Sequence, residues 1–468
     1  VAESGSPRAG RRPPAPPGPY LVLGLARSGA AAARALAARG ERVIGVDAGM
    51  PVRAGALREA GIQLHLGSEP ERLLEGIRTL VKSPGVPQSA PLVDAARARG
   101  IGVIGELELA WRTLDLPVVA VTGTNGKTTT TELIAHIHRH AGIAVASAGN
   151  VGSALSELLL ADAHSALPQR VICETSSFQL EDASAFAPEA AVLLNIAPDH
   201  LDRHGSFEDY KRAKLRIFAN QRRGDIALVH ASLADEVRAL GRSARLVVFG
   251  GRSSYVFARA GRIYWRCDER PGARARALLE SSELSLRGAH NRDNALAAAA
   301  ACLAIGVPAE AVTAGLRDFP GVPHRLEELP DASGILFVND SKATNIASTL
   351  VALRAYGQSR EGAAPRIHLI LGGQGKGQDF RALRAPLARH VHTVYLIGED
   401  APRIAAELAG AHERMIACAT LERALGEARE RARAGDVVLL SPGCASFDQF
   451  SSFEARGERF RELVRAAS

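Results

Sequence analysis

The stretch VVAVTGTNGKTTTTE, Val118–Glu132, decides how the rest of the chain is read. Five residues of buried-strand character run into a glycine-rich turn, and the turn opens into a helix-forming segment. Glycines at 123 and 126 let backbone N–H groups converge on phosphate oxygens. Lys127 supplies positive charge, and the Thr128 hydroxyl is of the type that ligates Mg²⁺ beside a bound nucleotide. The strict G-x-x-x-x-G-K-[ST] pattern fails, because Val121 stands at its first position. The strand before and the helix after still point to a nucleoside-triphosphate site built from Gly123, Thr124, Asn125, Gly126, Lys127, Thr128 and Thr129.

Outward from this turn, strand and helix patterns alternate almost to the C-terminus, which predicts an α/β protein with largely parallel sheets. Three blocks are expected. The first, 20–105, carries YLVLGLARSG, RVIGVD, IQLHLG, LVKSPGV and IGVIG. The second, 106–320, carries RVICETS, AAVLLNI, DIALVH and an alanine-rich helix. The third, 321–468, carries LFVND, IHLILGG, TVYLIG and DVVLLSPG. Residues 1–19 are basic and rich in proline and glycine without an apolar stretch; they read as a disordered leader and not as a secretory signal.

Among 468 residues, 46% are hydrophobic and 23% charged, ordinary for a globular protein large enough for two to four domains. No apolar run reaches the roughly 18 residues of a membrane span. Five scattered cysteines without a C-x-x-C pair argue for a reducing compartment and against a zinc or disulfide framework. The net charge of +7 suits polyanionic nucleotides, and with only 4% aromatic residues there is little on which to stack nucleic-acid bases.

Other candidates follow strands. Gly24-Leu25-Ala26-Arg27-Ser28-Gly29, with Asp47 ending the next strand, has the form of a dinucleotide-binding turn; no hydride-transfer constellation accompanies it, so another nucleotide's pyrophosphate is the better guest. Glu174 ends VICE and His200 ends LLNIAPDH, where a parallel sheet faces its ligand crevice. A carboxylate there, beside a phosphate loop, is a Mg²⁺ ligand candidate. Lys211, Lys214 and Arg216 read as one basic, solvated helix face. In the third block VNDSKATN, LGGQGKGQDF and LLSPGCASFDQF each follow a strand, and together they describe a pocket for a small anionic substrate.

Read in order, GTNGKT, ETSSFQL, NIAPDHLDRHGSFEDYKRAKLRIF, GAHNRDNALAA, GVPHRLE, NDSKATN and SPGCASFDQF resemble the Mur ligases of peptidoglycan synthesis, from about Tyr20 to the end of the chain. GTNGKT alone marks only the wider superfamily that includes folylpolyglutamate synthases. The resemblance implies a Rossmann-like UDP-binding domain, a central P-loop ATPase-like domain and a Rossmann-like C-terminal domain for the amino acid. It implies an ATP-dependent amide ligase that joins glutamate, the D form expected, to UDP-N-acetylmuramoyl-L-alanine through an acyl phosphate. L-glutamate, another amino acid, or a folate acceptor are the alternatives.

Carried over by position, Lys127 and Thr128 would hold the triphosphate and its Mg²⁺, with Glu174 as ligand. His200 and a carbamylated Lys214 would hold a second Mg²⁺. Asn294, Arg325 and Asp340 would bind ATP. Gly24, Ala26, Arg27, Ser28, Gly29 and Asp47 would bind the UDP, and Asn150 and Ser176 the muramoyl group. Lys342, Thr344, Lys376, Ser446 and Phe453 would frame glutamate. A cytoplasmic monomer without membrane or nucleic-acid partners is expected. Two positions depart from the pattern: Gln374 where Asp is frequent, and Ala197 where Ser or Thr is common.

Overall fold

The computed structural model describes residues 12–68, 70–160, 168–267, 274–286, 288–357, 366–375 and 377–466. Two compact units are present: the chain up to Ser285 with His290–Phe319, and Leu286–Ala289 with Pro320–Ser468.

The first unit carries two sheets. One is formed by β1 (Tyr20–Leu23), β2 (Val43–Asp47), β3 (Gln63–Leu66), β4 (Thr79–Lys82) and β5 (Gly102–Gly105), in the order β3-β2-β1-β4-β5 with every pairing parallel. All four side chains of β1 are buried. That is why the segment reads as a continuous apolar run: helices cover both faces of a parallel sheet.

The larger sheet contains β6 (Val118–Thr122), β7 (Val145–Gly149), β8 (Arg170–Glu174), β9 (Ala190–Leu193), β10 (Ile226–His230) and β11 (Arg245–Phe249), all parallel. It is extended by β12 (Val256–Arg259), β13 (Arg262–Arg266) and β14 (Ala275–Glu280), an antiparallel meander at the edge. The order is β14-β13-β12-β11-β10-β9-β6-β8-β7. The alanine-rich segment forms helix Ala289–Ala304, buried around most of its circumference, as an apolar helix without a polar stripe must be.

The second unit is a six-stranded sheet: β15 (Glu327–Pro330), β16 (Leu336–Asn339), β17 (Ile367–Gly372), β18 (Val391–Ile397), β19 (Met415–Ala419) and β20 (Val437–Leu440), ordered β15-β16-β20-β17-β18-β19. Only the edge strand β15 is antiparallel.

Each sheet reverses its winding beside one strand. β1 lies between β2 and β4, β6 between β8 and β9, and β20 between β16 and β17. Loops leaving opposite ways at such a point open a crevice beyond the strands' carboxyl ends. Every sequence candidate that follows a strand therefore lies at one of three crevice mouths.

One expectation is corrected. The part of the leader that is described, 12–19, is held against the first unit rather than disordered. Arg12 donates to the carbonyls of Trp111 (2.8 Å), Leu114 and Leu116 (2.6 Å), pairs with Glu189 at 3.2 Å and lies over the Trp111 ring. Composition disfavours a core of its own, but one arginine finds the open carbonyls at the C-terminal end of helix Glu106–Thr113. Residues 1–11 lie outside the described residues. Among those described, no helix is long and apolar enough to cross a membrane.

Candidate active site

Helix Lys127–His140 begins at Gly126, which takes the left-handed conformation at φ 84°. A side chain at Gly126 would also overlap the amide of Asn294, so Asn294 packs directly on the phosphate loop. The loop is further shaped from the strand next door. Asn195, just beyond β9, accepts the Asn125 N–H with its side-chain oxygen (2.9 Å) and donates to the Asn125 carbonyl (3.1 Å). The Thr124 hydroxyl meets the backbone of Ala197 and the Tyr210 hydroxyl at 2.9–3.1 Å. Lys127 folds its ammonium back onto the carbonyls of Gly123 (3.0 Å) and Thr124 (2.9 Å).

Lys214 reaches the same Gly123 carbonyl at 2.8 Å. It is 1% exposed, so the reading of this lysine as a solvated charge is overturned in favour of the site. Helix Phe207–Leu215 turns Tyr210, Ala213 and Lys214 inward, whereas Lys211 stays outside and pairs with Glu208. Burial, with Lys127 nearby, pushes the Lys214 amine down to about 7.

Glu174 closes β8, next to β6. Its buried carboxylate accepts from the Asn150 side-chain amide at 2.9 Å, and its second oxygen is buried without a hydrogen-bond partner. An orphaned, buried carboxylate oxygen costs free energy unless something cationic meets it. Thr128, buried at the helix start, is a second source of hard oxygen, and these residue types suit Mg²⁺.

His200 also has a left-handed backbone, φ 52°, and an exposed ring near Phe178. Four residues on, His204 is the more enclosed imidazole. It pairs with Glu181 (2.9 Å), contacts the Ser177 hydroxyl (3.0 Å) and stacks on Phe178. Burial holds its pKa below the usual histidine range. His204 was not foreseen; its spacing from His200 was the available signal. Ser176 uses its hydroxyl in a reciprocal cap with Gln179 at the start of helix Ser177–Glu181.

At the β1 crevice, any side chain at Gly29 would run into the Gly24 carbonyl, so helix Arg27–Ala38 and β1 meet as closely as backbones allow. Asp47 accepts the N–H groups of Leu25 (2.6 Å) and Gly49 (2.8 Å), which stiffens the turn. Ala26 and Arg27 face outward, Ser28 is half-buried, and Arg27 donates to the Asn150 carbonyl at 2.8 Å. The turn and the Glu174 region are therefore directly linked.

In the second unit, Asp340 follows β16 and is buried. Burial pushes its carboxyl up to about 7, against bonds from the Ser441 hydroxyl (2.8 Å) and the Leu326 N–H (3.2 Å). Arg325 lies nearby in sequence to that N–H and has a buried Nε without a partner. The Lys342 ammonium sits 5.6 Å from the centre of the Phe453 ring, and the Thr344 carbonyl faces Gln378. Ser446 is buried with its hydroxyl unpartnered. Lys376 lies outside the described residues. Arg456, unforeseen, is 1% exposed and ties Ser341 to Cys444, with bonds of 2.9–3.0 Å. It thereby joins the loops after β16 and β20.

Three family models match this chain in succession: the MurD-like N-terminal domain of Mur ligases over 19–105, the Mur ligase middle domain over 121–302, and the Mur ligase glutamate ligase domain over 324–444. The UDP-N-acetylmuramoylalanine–D-glutamate ligase of Pelotomaculum thermopropionicum is 42% identical over 455 residues, spanning 95% of this chain and 96% of that protein. That of Myxococcus xanthus is 42% identical over 456 residues, spanning 95% and 98%. The chain belongs to the Mur ligase family.

Among solved structures, the UDP-N-acetylmuramate–alanine ligase of Thermotoga maritima shares the fold, with a TM-score of 0.58 at 20% identity over 96% of this chain and 99% of that one. As a Mur ligase, the chain is an ATP- and Mg²⁺-dependent enzyme that forms a carbon–nitrogen bond, on a three-domain α/β fold. In this chain Lys127 and Lys214 meet at the Gly123 carbonyl, and the loop after β9 holds the neighbouring Thr124.

Proposed function

We propose that this Mur ligase joins D-glutamate to UDP-N-acetylmuramoyl-L-alanine in the cytoplasmic synthesis of peptidoglycan precursors. The observation that carries the reading is the meeting of the Lys127 and Lys214 amines at one carbonyl of the phosphate loop, Gly123. Relatives named for this reaction match along nearly the whole chain. The proposed domains are 20–105 for UDP, 106–320 for ATP and 321–468 for the amino acid, with 1–19 as an extension.

A carboxylate is a poor acyl donor to an amine until it carries a leaving group. The acceptor's carboxylate oxygen attacks the γ-phosphorus of ATP, the bond to the bridging oxygen breaks, and ADP leaves. The glutamate nitrogen then attacks the acyl carbon, loses a proton, and the phosphate departs as the amide forms. Positioning and charge neutralisation supply most of the acceleration.

In this reading Gly123, Thr124, Asn125, Gly126, Lys127, Thr128 and Thr129 seat the triphosphate, with Asn294 against the loop and Arg325 and Asp340 as further ATP contacts. Gly24, Ala26, Arg27, Ser28, Gly29 and Asp47 hold the UDP. Asn150 and Ser176 face the muramoyl end. Lys342, Thr344, Lys376, Ser446 and Phe453 hold glutamate. Mg²⁺, when bound by Thr128 and Glu174 and by His200 with Lys214, would neutralise the charge of the phosphates. Lys214 is suited to carbamylation because burial leaves much of its amine unprotonated near neutral pH. Its nitrogen lone pair adds to CO₂, one C=O π pair moves to oxygen, and a proton is released, leaving an anionic oxygen ligand.

The test is incubation with ATP, Mg²⁺ and UDP-N-acetylmuramoyl-L-alanine, with D-glutamate, L-glutamate or no amino acid. Phosphate release that requires D-glutamate, with a product heavier by one glutamyl residue, is expected. Release with L-glutamate alone, or none with either form, overturns the assignment.

A further inference from the structure

The phosphate-loop helix carries a second set of ligating atoms at its other end. His136 and His140 are four residues apart on helix Lys127–His140, so both imidazoles stand on one face. Asp318 closes helix Ala309–Asp318, which packs alongside. Both Nε2 atoms converge on one Asp318 oxygen, at 2.8 Å from His136 and 3.0 Å from His140. The three donor atoms all lie within 4.8 Å of one another.

We infer that His136, His140 and Asp318 form a binding site for a divalent transition ion of the zinc class, clamping the far end of the phosphate-loop helix to helix Ala309–Asp318. The donor set of two imidazoles and one carboxylate selects such ions; Mg²⁺ prefers an octahedron of oxygens. Tetrahedral zinc with bonds of about 2.0–2.1 Å puts neighbouring donors roughly 3.3 Å apart. The two gaps to Asp318 need to open by only a few tenths of an ångström, and the two imidazole nitrogens, within 4.8 Å of each other, reach the same spacing by side-chain rotation. Side-chain exposures of 19%, 29% and 56% leave room for that and for a water as fourth ligand.

The scaffold is stiff where it must be. Gly315 lets the two helices touch, since a side chain there would press on Ile137. The Phe319 ring packs edge-on against His136 at 5.4 Å, and the neighbouring cation Arg317 is engaged by Glu283 at 2.8 Å. Ligands on packed helices are held more closely than ligands on loops. Nine residues of helix, about 14 Å, separate His136 from Lys127, so this ion is not the one that serves the phosphates.

Zinc titration by calorimetry of the full chain, stripped with a chelator and kept in excess Mg²⁺, tests the inference. One zinc per chain and a zinc-dependent rise in melting temperature are expected. His136→Ala and His140→Ala should each weaken uptake by roughly tenfold or more, since even outer partners of metal ligands contribute that much. His412→Ala should not. Asp318→Asn, which keeps size and hydrogen bonding, should weaken it too, with an unchanged melting curve in the absence of metal. No uptake, or uptake indifferent to all three site substitutions, overturns the site and leaves an ordinary histidine–carboxylate ion pair.

Discussion

Lys214 and Asp340 are both buried ionisable groups pushed to about 7, from opposite directions, so they tilt the pH dependence of stability oppositely. A folded Lys214 gives up its proton near pH 7, whereas an unfolded lysine keeps it to about 10.4. Its contribution is therefore full only above that value, and is lost as pH falls through 7. Asp340 contributes fully below about 3.9, and that contribution is lost as pH rises through 7. Melting curves between pH 5 and pH 9 in CO₂-free buffer check this. Relative to wild type, Lys214→Met should lose the gain above pH 7, and Asp340→Asn should lose the decline towards pH 7. Lys214→Met should also lower glutamate-dependent phosphate release by on the order of 100-fold or more while the protein stays folded, the scale at which a positioned charge contributes to a transition state.

The elements impose their own constraints. At Gly126 the turn demands φ 84° and leaves no room beside Asn294. Gly126→Ala should cost roughly 1–3 kcal/mol from overpacking, plus about 1 kcal/mol for the left-handed backbone. Reduced ATP affinity and a lowered denaturation midpoint would report it. Between the end of β4 and the segment after helix Ser177–Glu181, Lys82 and Asp182 form a 2.8 Å ion pair, 0% and 4% exposed. Gln88 adds a second bond to Asp182 at 2.6 Å. Lys82→Met strands a buried carboxylate and should destabilise by about 3–5 kcal/mol, while Lys82→Met with Asp182→Leu should recover much of the loss. Urea unfolding of the single and double variants separates the two outcomes.

For the whole molecule, two compact units make a single unfolding free energy ill-defined, and calorimetry should resolve their transitions. UDP-N-acetylmuramoyl-L-alanine at 100 times its Kd should stabilise the first unit by about 2.7 kcal/mol, raising its transition and leaving the second unmoved. Movement of the second transition alone would place the uridine nucleotide elsewhere.

Local chemistry was legible because it is local. Gly123–Thr128 reads as a phosphate turn from the conformations that glycine permits and the charge that lysine brings. Strands β1, β6 and β17 read as strands because parallel sheets covered on both faces leave unbroken apolar runs. The strands β7 and β11, the antiparallel strands β12–β14, the edge strand β15 and β19 were not foreseen; partly exposed strands dilute the pattern. A basic helix face gives no hint which lysine turns inward; only the packing of Phe207–Leu215 buries Lys214 and leaves Lys211 partly exposed, paired with Glu208. Likewise Arg12 finds its carbonyls, Lys82 its Asp182, and His136 and His140 their Asp318 across 99 or more residues of chain. A sequence specifies turns and periodicities through near neighbours, but partnership at a distance depends on which crevice and which helix face the topology brings together.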